Sequence, residues 1–184
     1  MQASIAQSLS QSRLMTGLPV ELMQSLAERF GETHDVPAGE VFKKAGDEAV
    51  AAFLVRSGNV QVSENRGLAD GAYAYTVGQG EIVGVPALLN GGEESAEFRA
   101  AEDTTLASLD RPQFDDWLSS HSEYRSALAL NAGLDQQFHL LRKTQLFAEL
   151  NAIDLFVLVR ELTPCFERHD SGDHLFHEDD VAKY

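Results

Sequence analysis

From Thr33 onward the chain is broken into short alternating runs by turn residues, and this punctuation restricts its fold more than any other feature. Pro37-Ala38-Gly39-Glu40 turns into Val41-Phe42, Gly46-Asp47 turns into the run Ala51 to Arg56, and Ser57-Gly58-Asn59 forms a hairpin into Val60-Gln61-Val62. A second hairpin bends around Gly67 to Gly71; Tyr73 and Tyr75 then lead through Val77 to a glycine-rich stretch. Thr105 to Leu109 closes the set before Arg111-Pro112-Gln113-Phe114. Short alternating runs of this kind predict an antiparallel β-roll, a jelly-roll-like barrel. With 184 residues, 43% of them hydrophobic, the chain has apolar material for one domain and some excess.

Helical patterns flank the roll, so the fold class is mainly β with flanking α: an N-terminal helix before it and a long C-terminal helix after it. Leu18 to Phe30 reads as an amphipathic helix, with Pro19 in its first turn and Leu22, Leu26 and Phe30 on one stripe. Met15 and Met23 are core filler rather than ligands of a soft metal. Beyond the roll, Gln113 to Leu118 forms a short helix, and Ser120-His121-Ser122-Glu123 has the form of a capping box opening a long one. On that long helix Leu130, Leu134, Phe138 and Leu141 step by four, four and three, which gathers them on one face as a candidate dimer seam, the competing expectation being that Leu146 to Tyr184 folds back over the same stripe and keeps the chain monomeric. The divisions expected are 1–13 as a lead-in, 14–120 as the roll, 121–145 as the long helix, and 146–184 as the region discussed below.

The stretch Gly78-Gln79-Gly80-Glu81-Ile82-Val83-Gly84-Val85-Pro86-Ala87-Leu88-Leu89-Asn90, continuing to Ala100, resembles the phosphate-binding cassette of the cyclic-nucleotide-binding domain family. Leu18-Pro19 followed by Leu22, then Ala38-Gly39-Glu40, Gly46-Asp47, Phe53-Leu54-Val55 and Ser57-Gly58-Asn59-Val60, match the family's landmarks in order and spacing. The resemblance implies a ligand pocket at Gly84, Val85, Pro86, Ala87, Glu94, Ser95 and Ala96. In the family a glutamate just after the first of these holds the ribose 2′-hydroxyl, and an arginine just before the serine pairs with the cyclic phosphate. Those places here read Val85 and Glu94. Losing a charge-assisted bond to phosphate forfeits roughly 1.5–3 kcal/mol, and a carboxylate ~4 Å from a phosphate adds about 1–4 kcal/mol of repulsion. Arg99, the nearest substitute, is an odd number of residues from Glu94 and is expected to face the other way. The expectation is therefore a regulatory or interaction module with no cofactor and no bound cyclic nucleotide; the alternative is a sensor for a cyclic nucleotide or a less anionic small molecule.

An internal repeat runs at one offset: Asp154-Leu155 corresponds to Glu21-Leu22, Glu161 to Glu28, Gly172-Asp173 to Gly39-Glu40, and Asp180 to Asp47. Leu146-Phe147-Ala148-Glu149-Leu150 also resembles the opening that precedes such domains. A second copy is thus expected to begin near Leu146 and to stop at Tyr184 before any counterpart of the cassette, as in a piece of a longer signalling or transport polypeptide. The catabolite activator group shares the roll and long helix, but there a basic helix-turn-helix follows, where here a second roll begins.

Charge and chemistry narrow the function further. Fourteen Lys and Arg against 29 Asp and Glu give a net charge of −15, which repels nucleic-acid backbones. A lone Cys165 and the lack of a secretory pattern in Met1 to Met15 fit a cytoplasmic setting, and no apolar run approaches the ~20 residues of a membrane span. His169, His174 and His177, with Asp170, Asp173, Glu178, Asp179 and Asp180, form the one dense cluster of metal-ligating types, but their spacing suits no single face and they read as a solvated turn rather than a metal site. His34, His121 and His139 are scattered. Gly-x-Ser-x-Gly and phosphate-loop patterns are missing, so no enzymatic activity is expected.

Overall fold

The strands form between the turns that the sequence marked, the hairpin around Gly67 to Gly71 lying outside the described residues. A computed structural model of the chain describes residues 4–64, 73–142, 144, 146–147, 149–150 and 152–162. Its strands are β1 (Thr33–Val36), β2 (Val41–Lys43), β3 (Ala51–Ser57), β4 (Val60–Glu64), β5 (Tyr73–Val77), β6 (Ile82–Val83), β7 (Ala96–Ala100) and β8 (Thr104–Asp110). They pair antiparallel into two four-stranded sheets, ordered β1-β8-β3-β6 and β2-β7-β4-β5, which is the expected β-roll. Between the sheets lies one core in which Phe53, Val55 and Leu106 of the first meet Val60, Val62 and Phe98 of the second.

The first sheet is covered on its other face as well. Ala52, Leu54, Ala107 and Leu109, which point away from the roll interior, pack with Leu22, Leu26, Phe114, Trp117 and Leu128 in a second core. Burial on both faces explains why Ala51 to Val55 reads as an unbroken apolar run instead of an alternating one. Gly58 closes the β3–β4 hairpin with φ +79°, and a Cβ there would come within 2.6 Å of the Asp103 carbonyl oxygen, so the turn accepts glycine alone.

The covering layer is helical: α1 (Ile5–Leu9), a 3-10 turn at Arg13–Met15, α2 (Val20–Ala27), α3 (Val85–Asn90), α4 (Arg111–Ser120), a 3-10 turn at Ser122–Tyr124, α5 (Arg125–Arg142) and α6 (Ala152–Leu162). The lead-in is helical, with the Ser4 hydroxyl accepting from the Gln7 amide and Leu9 fully buried. The Ser120 capping box is not formed. Ser120 ends α4, where its hydroxyl donates to the Asp116 carbonyl, and a 3-10 turn intervenes before α5. No helix among the described residues is long and apolar enough to cross a membrane.

The stripe expected to pair two chains is largely covered from within this one. Leu134 and Phe138 pack against Leu155, Phe156 and Val159 of α6, with Leu141 at the margin. Leu130 stands apart from them, 50% exposed. The four positions therefore share a helix but not a surface. On α6 the buried residues Leu155, Phe156 and Val159 repeat the buried Leu22, Met23 and Leu26 of α2 at the offset of the sequence repeat. The rest of that repeat, including the histidine and carboxylate cluster, lies outside the described residues.

Candidate functional site

The seven pocket residues named from sequence come together. Gly84, Val85, Pro86, Ala87, Glu94, Ser95 and Ala96 line one cavity of about 50 Å³, which β4, β5, β7 and α5 complete. Gly84 caps α3 with φ +89°; a Cβ on it would sit 3.1 Å from the Ala51 carbonyl oxygen, so the cassette lies directly on β3. Val85, 3% exposed, and Ala87 belong to the helical core, while Ala96 faces the roll interior. Ser95 is exposed and brings the cavity to the surface.

Glu94 is held by its backbone: its amide donates to the Asp47 carbonyl at 2.8 Å and its carbonyl accepts from the Gly46 amide at 2.9 Å. Its side chain is buried against the cavity, and Oε1 finds no hydrogen-bond partner among the described residues. Burial raises its pKa from 4.5 to about 7, against the opposing fields of Lys43 and Arg111 and with a small push from Asp47. Arg99 does not reach in. It points outward on β7, donating to Glu97 and the Gly39 carbonyl, as the odd spacing predicted.

Local patterns did not reveal the far wall. Glu64, Glu81 and Asp135 add three carboxyl groups to the lining, and Tyr75 an aromatic ring. Arg13, from the 3-10 turn, joins two of these: Nη1 pairs with Glu81 at 2.7 Å and Nε with Asp135 at 2.6 Å. Its Nη2 donates to His139 Nε2 at 3.0 Å, the His139 ring stacks on Tyr75 with centroids 4.1 Å apart, and the guanidinium lies over the Phe138 ring at 4.4 Å. Burial lifts Glu81 from 4.5 to about 7, with Arg13 pulling it down and Asp135 pushing it up. His139 is thus a buried member of a network, in contrast to the exposed His34. Among the described residues no group of three His, Cys, Asp or Glu is placed to hold a metal ion.

Comparison with known proteins leads to the same fold. Residues 33–121 match the family model of the cyclic nucleotide-binding domain. The chain carries a domain of the cyclic nucleotide-binding family. Among solved structures it is similar to the Thermus thermophilus catabolite activator protein, with 29% identity, a TM-score of 0.54, and coverage of 75% of this chain and 62% of that one. It shares its fold with the N-terminal domain of a transcriptional regulator from Streptomyces coelicolor (23% identity, TM-score 0.54, 75% and 94% covered). The regulatory domain of Toxoplasma gondii PKA, solved with cAMP, shares the fold at 17% identity and a TM-score of 0.57, over 85% of this chain and 56% of that one. The chain thus spans little more than half the length of the Toxoplasma relative. No curated protein sequence matches significantly. Val85 and Glu94, the two cassette positions singled out from the sequence, are both buried in this domain.

Proposed function

We propose that this cyclic nucleotide-binding domain is a regulatory or interaction module that works without a cyclic nucleotide. One observation carries the reading: Glu94, where the family's arginine meets the phosphate, is buried against the cavity with an unpartnered carboxyl oxygen. A phosphate entering there meets no cation of the cassette and, above pH 7, a carboxylate. At ~4 Å that repulsion amounts to about 1–4 kcal/mol, beyond the lost attraction of roughly 1.5–3 kcal/mol.

Cyclic AMP and cyclic GMP at millimolar concentration are expected to leave the melting temperature unchanged. A saturable rise of several degrees sinks the reading. Val85→Glu with Glu94→Arg is expected to gain calorimetrically measurable affinity, because the Gly84 turn and α3 remain in place. The repeated burial pattern of α2 and α6 supports a tandem arrangement in which α6 opens a second copy of the domain. In that arrangement the stripe at Leu134 and Phe138 docks the second copy onto α5, and the output element lies elsewhere in a longer protein.

A further inference from the structure

The cavity is acidic in a way that ion pairing inside the chain does not use up. Arg13 meets Glu81 and Asp135, but no arginine or lysine forms an ion pair with Glu94 among the described residues. Glu94 is 4% exposed, its Oε1 lacks a partner, and it shares the cavity with Gly84 and the exposed Ser95, where a small molecule has a way in. A carboxyl oxygen buried without a donor costs the fold free energy that a donor delivered from outside would return. The charged groups around Glu94 are Lys43 from β2, Arg111 from α4 and Asp47 from the preceding turn; Arg111 is engaged with the Ala49 and Leu88 carbonyls and Lys43 with the Glu48 carbonyl. The partner that fits has N–H donors and positive charge, and its buried part is no larger than about three or four water molecules. The remaining walls, Val62, Val85 and Phe98, suit one or two carbon atoms behind the charged head.

We infer that the cavity is a binding site for a small organic cation of the primary-amine class, whose ammonium group donates to Glu94. The inference rests on the reading that the site turns anions away, but it requires attraction as well as exclusion, and the two fail separately. The probe is methylammonium chloride, with sodium chloride and tetramethylammonium chloride at equal ionic strength as references. Methylammonium at a hundredfold excess over its dissociation constant is expected to raise the melting temperature by roughly 5–10 °C above the sodium reference. Tetramethylammonium, which has no N–H and is too wide, is expected to do nothing. Affinity should fall about tenfold from pH 8 to pH 6 as the Glu94 carboxylate, with its pKa of about 7, takes up a proton. Glu94→Gln should abolish the methylammonium shift, and its own melting curve in sodium chloride shows whether it is folded. If Glu94→Gln does not fold, the pH comparison repeated on Glu81→Gln carries the test, because Glu81 lines the same cavity and is also raised to about 7; a pH dependence that disappears in that variant belongs to Glu81 and overturns the inference. A response equal for all three salts, unchanged in a folded Glu94→Gln or independent of pH overturns the inference. So does a saturable shift with guanosine and none with methylammonium, which would assign the cavity to a neutral nucleoside. A shift with cyclic AMP alone would sink the exclusion reading together with this one.

Discussion

Replacing Glu94 by glutamine changes one atom and removes one titration, so its effect on stability can be worked out with its sign. The folded state holds the Glu94 carboxyl at a pKa of about 7, against 4.5 in an open chain, because burial disfavours its charge. Stability from this group is complete below pH 4.5, declines as the pH rises, and is lost above pH 7. At about 1.4 kcal/mol for each pH unit between the two values, the ionised side chain costs the fold on the order of 3 kcal/mol at pH 8. Glutamine has no such cost. Urea unfolding followed through Trp117, which is buried and donates to the Ser25 hydroxyl at 2.9 Å, reports on the helical core beneath the cassette. The stability difference between Glu94→Gln and the parent is expected to grow by on the order of 3 kcal/mol in favour of the variant from pH 4.5 to pH 8. Any packing cost of the amide is the same at both pH values and cancels. Parallel pH profiles for the two proteins would refute the reasoning, since they would mean that Glu94 ionises freely and that water reaches it.

Two further substitutions test the frame around the site. Gly58→Ala should cost at least about 2–3 kcal/mol, because a φ of +79° is joined by a close approach to the Asp103 carbonyl; a loss below 1 kcal/mol in thermal unfolding would mean the hairpin relaxes freely. Phe138→Ala should cost about 3–5 kcal/mol through the α5–α6 contact, whereas Leu130→Glu, on the exposed side of the same helix, should stay within about 0.5 kcal/mol; comparable losses at both positions would contradict the division of that stripe.

What could be read ahead of the structure was local. The roll follows from turn chemistry and period-two alternation within a few residues of each bend, and the seven cavity residues from Gly84 to Ala96 lie in one short stretch. Arg99 facing outward followed from parity alone. What escaped reading was held together across the chain: Arg13, Glu81, Asp135 and His139 span 126 positions, and no periodicity links a guanidinium in a 3-10 turn to carboxylates on a loop and a helix. The α5 stripe shows the other kind of gap. Heptad-like spacing identifies an apolar face, but a second copy and a following helix satisfy it equally, and here α6 supplies the cover for Leu134 and Phe138. Ser120 failed as a cap because Asp116, one turn earlier, offered its hydroxyl a carbonyl and let α4 run on.

The guanidinium of Arg13 stands between the rim of the cavity and the long helix, compensating one acid on each. If α5 lifts, Asp135 leaves with it and Glu81 keeps the cation to itself; if the rim shifts, the same trade runs in the other direction. Cavity rim and helix therefore share a single positive charge, and any coupling that this sharing produces is, by thermodynamic reciprocity, equal in size in both directions.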